Sequence, residues 1–277
     1  MMPDFEGFPV KTSLTEESLW PTWQQQIQAA WKTERSLIKR EAKSRKVSRL
    51  CHFTLTRNLP SIYREGIKSR AELRESSIKH TPIDSSKKLY FEEFVYLSVT
   101  QPNTKMLYSK FINGSALAVV VVDVSALWKF PFFSIPTNSG SPGIPAYLKS
   151  RLHECIGLRG FQNLFSRNDL REEFQLRPAE PTDVQAELIF MESIPSSFFH
   201  QVLLTPIDKT SKAFLEIARY FDFFQTDSQA KYKWKILEEY EIKKWGPKYS
   251  PQAQREYNLR RWNPDWTQFD DQDTVST

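Results

Sequence analysis

Seven consecutive apolar residues, 116–122, including the four valines Val119 to Val122, limit the fold more than any other feature. A run this short and this β-branched reads as a strand covered on both faces, and so as the middle of a sheet with layers on either side. It is also far too short to cross a bilayer, which takes about 20 residues. The other elements are placed around it. Cys51, Phe53 and Leu55 alternate with His52, Thr54 and Thr56, which predicts a strand over 50–56. Further strands are expected over 94–99, 183–191 and 198–204. In 183–191, Val184, Ala186 and Leu188 share one face, and Gln185 and Glu187 share the other. A short helix over 58–65 is expected to stop at Gly66. Trp20, Trp23, Ile27, Ala30 and Trp31 recur at helical spacing and predict one long helix or two within 14–48. Helices are also expected over 103–111, 147–166 and 210–224, the second weakened by Gly157 and Gly160. Residues 76–90 are polar, and 130–146 hold four of the 17 prolines, so both read as loops. Strands and helices mix without a regular βαβ alternation, which predicts an α+β fold.

The chain of 277 residues carries 38 Lys plus Arg against 33 Asp plus Glu, a net charge of +5 that permits a nucleic-acid partner without requiring one. The cations concentrate at Lys32, Arg35, Lys39, Arg40, Lys43, Arg45, Lys46 and Arg49, with Glu34 and Glu41 interleaved. That pattern fits either a solvated helix face of mixed charge or a flank that contacts phosphates. Cys51 and Cys155 are the only cysteines, and the four histidines have no ligand spacing with them, so neither a disulfide framework nor a metal site is expected. A reducing cytoplasm fits, and the first residues lack the basic and apolar regions of a signal peptide. No G-x-G, P-loop, H-E-x-x-H or G-x-S-x-G occurs, which removes the common dinucleotide, NTPase and hydrolase templates. Trp234, Tyr240, Trp245, Tyr249, Trp262 and Trp266 read as a satellite core or as a stacking platform.

Glu187 is the main chemical candidate. A carboxylate placed on a strand of the core is costly unless something pairs with it, so it marks a possible site; the alternative is a solvated strand face.

Two segments, taken together, resemble the DarT family, toxins that ADP-ribosylate bases of single-stranded DNA with NAD. The first runs Cys51-His52-Phe53-Thr54-Leu55-Thr56-Arg57-Asn58-Leu59-Pro60-Ser61-Ile62-Tyr63-Arg64-Glu65-Gly66. It is similar to a family pattern of H-[FI]-T followed by N-L-x-x-I and a later Gly. The second is Gln185-Ala186-Glu187, preceded by Arg177-Pro178 and followed by Ile194-Pro195. A softer match is Pro102, Met106, Leu107 and Tyr108, where Asn103 stands in place of a family arginine. A family histidine has no counterpart in 132–140. For the arginine-bearing helix expected near 75–90, Arg74 and Lys79 are loose candidates.

The resemblance covers roughly residues 50–206. It implies an ADP-ribosyltransferase-like split mixed β-sheet with peripheral helices. The expected divisions are an N-terminal helical extension (1–49), a catalytic domain (50–262) and a polar tail (263–277). It implies Glu187 as the catalytic carboxylate, with His52, Thr54, Ser98 and Asn58 at NAD. Gln185, Arg171 and Asn138 are expected at the DNA, with Arg159, Arg167 and the loop 131–145 as further DNA-side candidates. NAD is the implied co-substrate, no metal is required, and the implied partners are single-stranded DNA and a cognate antitoxin, an ADP-ribosyl hydrolase. The departures leave thymidine and guanosine both open as the target base. An NAD-dependent transferase acting on RNA or protein, or a catalytically silent nucleic-acid-binding module, are the competing readings.

Overall fold

The computed structural model describes residues 16–78, 80–82, 92–103, 106, 107, 110, 115–141 and 143–205, and the backbone of 233–236. The helix expected over 210–224, the aromatics from Tyr240 to Trp266, Tyr108, Lys79 and the tail 263–277 lie outside the described residues.

Among the described residues, seven strands form one sheet: β1 (Arg49–Leu55), β2 (Val95–Val99), β3 (Leu117–Asp123), β4 (Phe132–Ile135), β5 (Glu187–Phe190), β6 (Phe199–Leu204) and β7 (Lys233–Ile236). Their spatial order is β4-β5-β2-β1-β3-β6-β7, antiparallel throughout except for the parallel β6–β7 pair. With helices packed around this mixed sheet, the fold is α+β. The valine run is β3, and residues 117–122 are all buried. Ala118, Val120 and Val122 join Leu50, Val95, Leu97 and Val99 on one face, while Leu117, Val119 and Val121 join Cys51, Leu107 and Leu203 on the other.

One long helix, α1 (Glu16–Ser44), packs along this sheet. Its Trp23 and Ile27 sit with Phe94, Phe133 and Ile189, and its Ile38 and Ala42 belong to the main core. Two side chains fasten it. The Trp31 indole N–H donates to the Leu127 carbonyl at 2.9 Å. The Glu34 carboxylate accepts from the Leu158 N–H at 2.6 Å, and so caps a helix from a distant part of the chain.

α2 (Leu59–Glu65) ends at Gly66, which has a φ of 82°. A Cβ on Gly66 would come within 2.5 Å of the Ile194 carbonyl oxygen, so this turn needs glycine. Further short helices, among the described residues, are α3 (Arg70–Glu75), α4 (Ala126–Lys129), α5 (Ile144–Arg151), α6 (Gly157–Asn163) and α7 (Asn168–Glu173).

Three expectations are corrected. The stretch 130–146 is not a loop throughout, because Phe132 to Ile135 form a fully buried strand paired with β5 between flanking prolines. The helix over 147–166 is split into α5, a 3-10 turn (Leu152–Glu154) and α6, with Gly157 at a φ of 60° where α6 begins. The strand over 183–191 begins only at Glu187.

Candidate active site at the split of the sheet

β1 has unequal neighbours. Against β3 it pairs over seven positions, from Arg49↔Asp123 to Leu55↔Leu117. Against β2 it pairs at two, Leu50↔Val99 and Cys51↔Ser98. Beyond Cys51 the ladder stops. There the His52 imidazole Nδ1 lies 3.0 Å from the Tyr96 carbonyl oxygen, a hydrogen bond from a side chain where a backbone one would continue the ladder. A carbonyl can only accept, so Nδ1 carries the proton, and in the neutral ring Nε2 is left as an acceptor.

A pocket of about 1250 Å³, counting its open mouth, occupies the split. β1 contributes Cys51, His52, Phe53 and Thr54, and β2 contributes Val95 through Ser98. Asn58, Ser61, Lys68, Arg70, His80, Thr81, Glu92 and Glu187 add further polar groups. His52, Thr54, Asn58, Ser98 and Glu187, five residues from two remote sequence segments and a third strand, are therefore brought together.

Glu187 opens β5, pairs with Ile135 and is 7% exposed. The Ser139 N–H donates to its Oε2 at 2.9 Å. Two further contacts hold that arrangement. The Thr137 hydroxyl donates to Asp183 Oδ2 at 2.8 Å, and the Gln185 N–H donates to Asp183 Oδ1 at 2.8 Å. Asp183 thus turns the chain just before Glu187 and ties the turn to the loop that supplies Ser139.

Asn58 has a clamping role. Its amide N–H group donates to the Thr54 hydroxyl at 3.0 Å and to the Thr81 carbonyl at 2.8 Å, while its Oδ1 accepts from the Thr81 N–H at 3.0 Å. This holds residues 80–82 beside the pocket and sets the Thr54 oxygen as acceptor, so that the Thr54 proton points elsewhere as a donor.

The residues expected at the DNA are placed differently. Gln185 sits in the Asp183 turn instead of on the strand face of Glu187, and it does not line the pocket. The period-2 pattern was mimicked by a local hydrogen bond from its backbone to the Asp183 side chain. Asn138 is likewise off the lining, and its Oδ1 accepts from the Gly140 N–H at 2.8 Å to form its own turn beside Ser139. The Arg171 guanidinium donates to the carbonyls of Glu180 at 2.6 Å and Arg177 at 2.9 Å, which fixes the loop leading to Glu187. Arg159 forms an ion pair with Glu154 at 3.5 Å and Arg167 one with Asp169 at 2.9 Å, both away from the pocket.

Burial first, and the Glu187 carboxylate second, push the Tyr96 phenol well above its usual range, so it stays neutral and able to donate. Burial pushes the Cys51 thiol up to about 12, which removes it as a nucleophile at neutral pH. Arg70, Tyr96 and Glu92 were not anticipated. Arg70 starts α3, whose Ser69 hydroxyl accepts from the Glu72 N–H while the Glu72 carboxylate accepts from the Ser69 N–H. The Ser-x-x-Glu spacing of this capping box was the available signal. Arg74, a loose candidate for the family arginine, is instead ion-paired with Glu92 and mostly exposed; Arg70 is the arginine at the pocket.

No protein-family model matches the chain, and no curated protein does. Solved structures do. Thermosipho africanus DarTG in complex with ADP-ribose matches at 16% identity and a TM-score of 0.45, over 67% of this chain and 49% of that one. Thermus sp. 2.9 DarT in complex with carba-NAD+ matches at 15% identity and a TM-score of 0.46, over 72% of this chain and 97% of that one. The same Thermus protein in complex with ADP-ribosylated ssDNA matches at 14% identity and a TM-score of 0.46, over 72% and 96%. This chain spans about half the length of the Thermosipho protein. These are loose likenesses.

Proposed function

We propose that this protein transfers ADP-ribose from NAD to a base of single-stranded DNA, with release of nicotinamide. One observation carries the reading: the His52–Thr54 strand and Glu187, 133 positions apart in the chain, face one pocket at the point where the sheet splits. The lining suits a dinucleotide. Lys68 and Arg70 supply positive charge for a pyrophosphate, Phe53, Phe94 and Tyr96 supply aromatic surface, and His52 and Thr54 supply directed hydrogen bonds.

Bound NAD supplies the activated glycosidic bond, whose cleavage builds positive charge on the ribose. Glu187, fixed by the Ser139 N–H, is the group that stabilises that charge and takes the proton displaced from the attacking base. Tyr96, held neutral, acts as a donor and not as a base. An acceptor base must be unstacked, and a single strand meets that requirement at little cost. The reading includes toxicity and a cognate antitoxin that hydrolyses the ADP-ribosyl mark.

The test is mass spectrometry of the products after incubation with NAD and defined DNA, RNA and protein acceptors. One added ADP-ribose on a DNA oligonucleotide, reduced about 10²–10³-fold in Glu187→Gln, is the expected result. Modification of RNA or protein alone, or no NAD turnover with any acceptor, overturns it. Oligonucleotides lacking thymine or lacking guanine then identify the base.

A further inference from the structure

The charges of α1 look mixed in sequence and are sorted in space. At about 100° per residue, Lys32, Arg35, Lys39 and Lys43 fall within a sector of roughly 80°. All four are exposed. The two carboxylates of this segment point the other way and are engaged: Glu34 accepts from the Leu158 N–H, and Glu41 pairs with Arg45 at 2.6 Å. Residues 31–49 hold eight cations against those two carboxylates, a larger excess than the +5 of the whole chain. The stripe is therefore neither balanced nor diffuse.

Aromatic rings lie among the cations. The Lys39 ammonium is 5.3 Å from the centre of the Trp128 ring, and the Arg35 guanidinium is 5.7 Å from that of Trp31. Both rings are half-buried, with Lys129 exposed beside Trp128. Cations alternating with aromatic surface are what a single nucleic-acid strand requires, the first for phosphates and the second for bases. A lipid surface requires something else, an apolar helix face free to enter the membrane. Here that face is occupied, since Trp23, Ile27, Ile38 and Ala42 are packed into the core. The position also suits a strand bound for the pocket, since α1 leads into β1, the strand that carries His52 and Thr54.

We infer that the exposed Lys32–Arg35–Lys39–Lys43 stripe of α1 is a docking track for the phosphate backbone of single-stranded DNA. The choice of DNA over other single strands rests on the function proposed for the pocket. The track itself is a binding surface whose occupancy is measurable without any chemistry.

The experiment is fluorescence anisotropy of a labelled single-stranded DNA oligonucleotide titrated with the full chain at several salt concentrations. Four proteins are compared: wild type, Lys39→Gln/Lys43→Gln, Lys149→Gln/Arg151→Gln and Glu187→Gln. The second and third lose the same charge from exposed positions. The stripe variant is expected to bind roughly tenfold more weakly, with a salt slope lower by about 1–1.5 in magnitude. The α5 variant is expected to bind as wild type does. Equal binding by the stripe and α5 variants overturns the inference. So does a stripe variant that loses affinity only for RNA or for phosphatidylserine vesicles. Full transfer activity in Glu187→Gln refutes the pocket reading and leaves the track standing. Wild-type DNA binding in the stripe variant, with transfer lost only in Glu187→Gln, refutes the track and leaves the pocket reading.

Discussion

The two edges of β1 carry ladders of unequal length. Towards β3 the ladder runs its full length between apolar faces, and towards β2 it ends after two pairs. The closed edge holds the fold together, and the open edge makes a site. Leu50 and Val120 are fully buried and belong to the same apolar cluster. At the open edge, His52, Thr54, Tyr96 and Glu187 are each held by a directed polar contact or by a nearby charge. A strand that forgoes part of its pairing exposes backbone and side-chain groups together, and these groups must then be satisfied by each other or by a ligand.

The contrast can be broken from either side. The largest effect is expected at the closed edge: Leu50→Ala removes a buried side chain and costs about 2–5 kcal/mol, read as a lower midpoint in denaturant unfolding with the slope unchanged. A stability loss well under that range would mean that the Leu50 side chain is not a core contact of β1. At the open edge, His52→Ala is expected to weaken NAD binding by about 1–2 kcal/mol, or roughly 5- to 30-fold, in calorimetric titration. Its unfolding midpoint should shift far less than that of Leu50→Ala; an equal shift would make His52 a core residue.

Thr137→Val removes the donor to the buried Asp183 carboxylate and is expected to cost about 1–2 kcal/mol of stability. Transfer activity should fall as well, because Asp183 and Ser139 place Glu187; unchanged activity would show that Glu187 is positioned without them.

The smallest effect concerns pH. Burial alone would raise the Glu72 carboxyl, but the Ser193 hydroxyl and the Ser69 N–H outweigh it and hold the group below its ordinary value. A depressed carboxyl adds stability above its unfolded pKa, about 4.3, and that stability is lost as pH falls through the lower folded value. Glu72→Gln is therefore expected to flatten the acid limb of the unfolding midpoint below about pH 4 and to leave neutral-pH activity nearly unchanged.

Local signals made part of this legible in the sequence. The alternation of Cys51 to Thr56, the stop at Gly66, the valine run of β3 and the stripe of α1 each rest on contacts that repeat at a fixed period, and each was found. What escaped depends on tertiary context. Phe132 to Ile135 lie between prolines and read as loop, yet pairing with β5 and full burial make them a strand. Gln185 read as strand because its neighbours alternate, yet the Asp183 side chain captures its N–H first. His52, Thr54 and Glu187 were visible as motifs, but Tyr96, Arg70 and Glu92 were not. Their place in the pocket follows from where β2 leaves β1, and no single residue announces that parting.

The amide of Asn58 grips Thr81 on one side and the Thr54 hydroxyl on the other. The same side chain therefore fastens residues 80–82 and fixes which way the Thr54 hydroxyl proton points. One wall of the pocket and the aim of one of its hydroxyl donors thus rest on a single amide, and losing that amide would loosen both together.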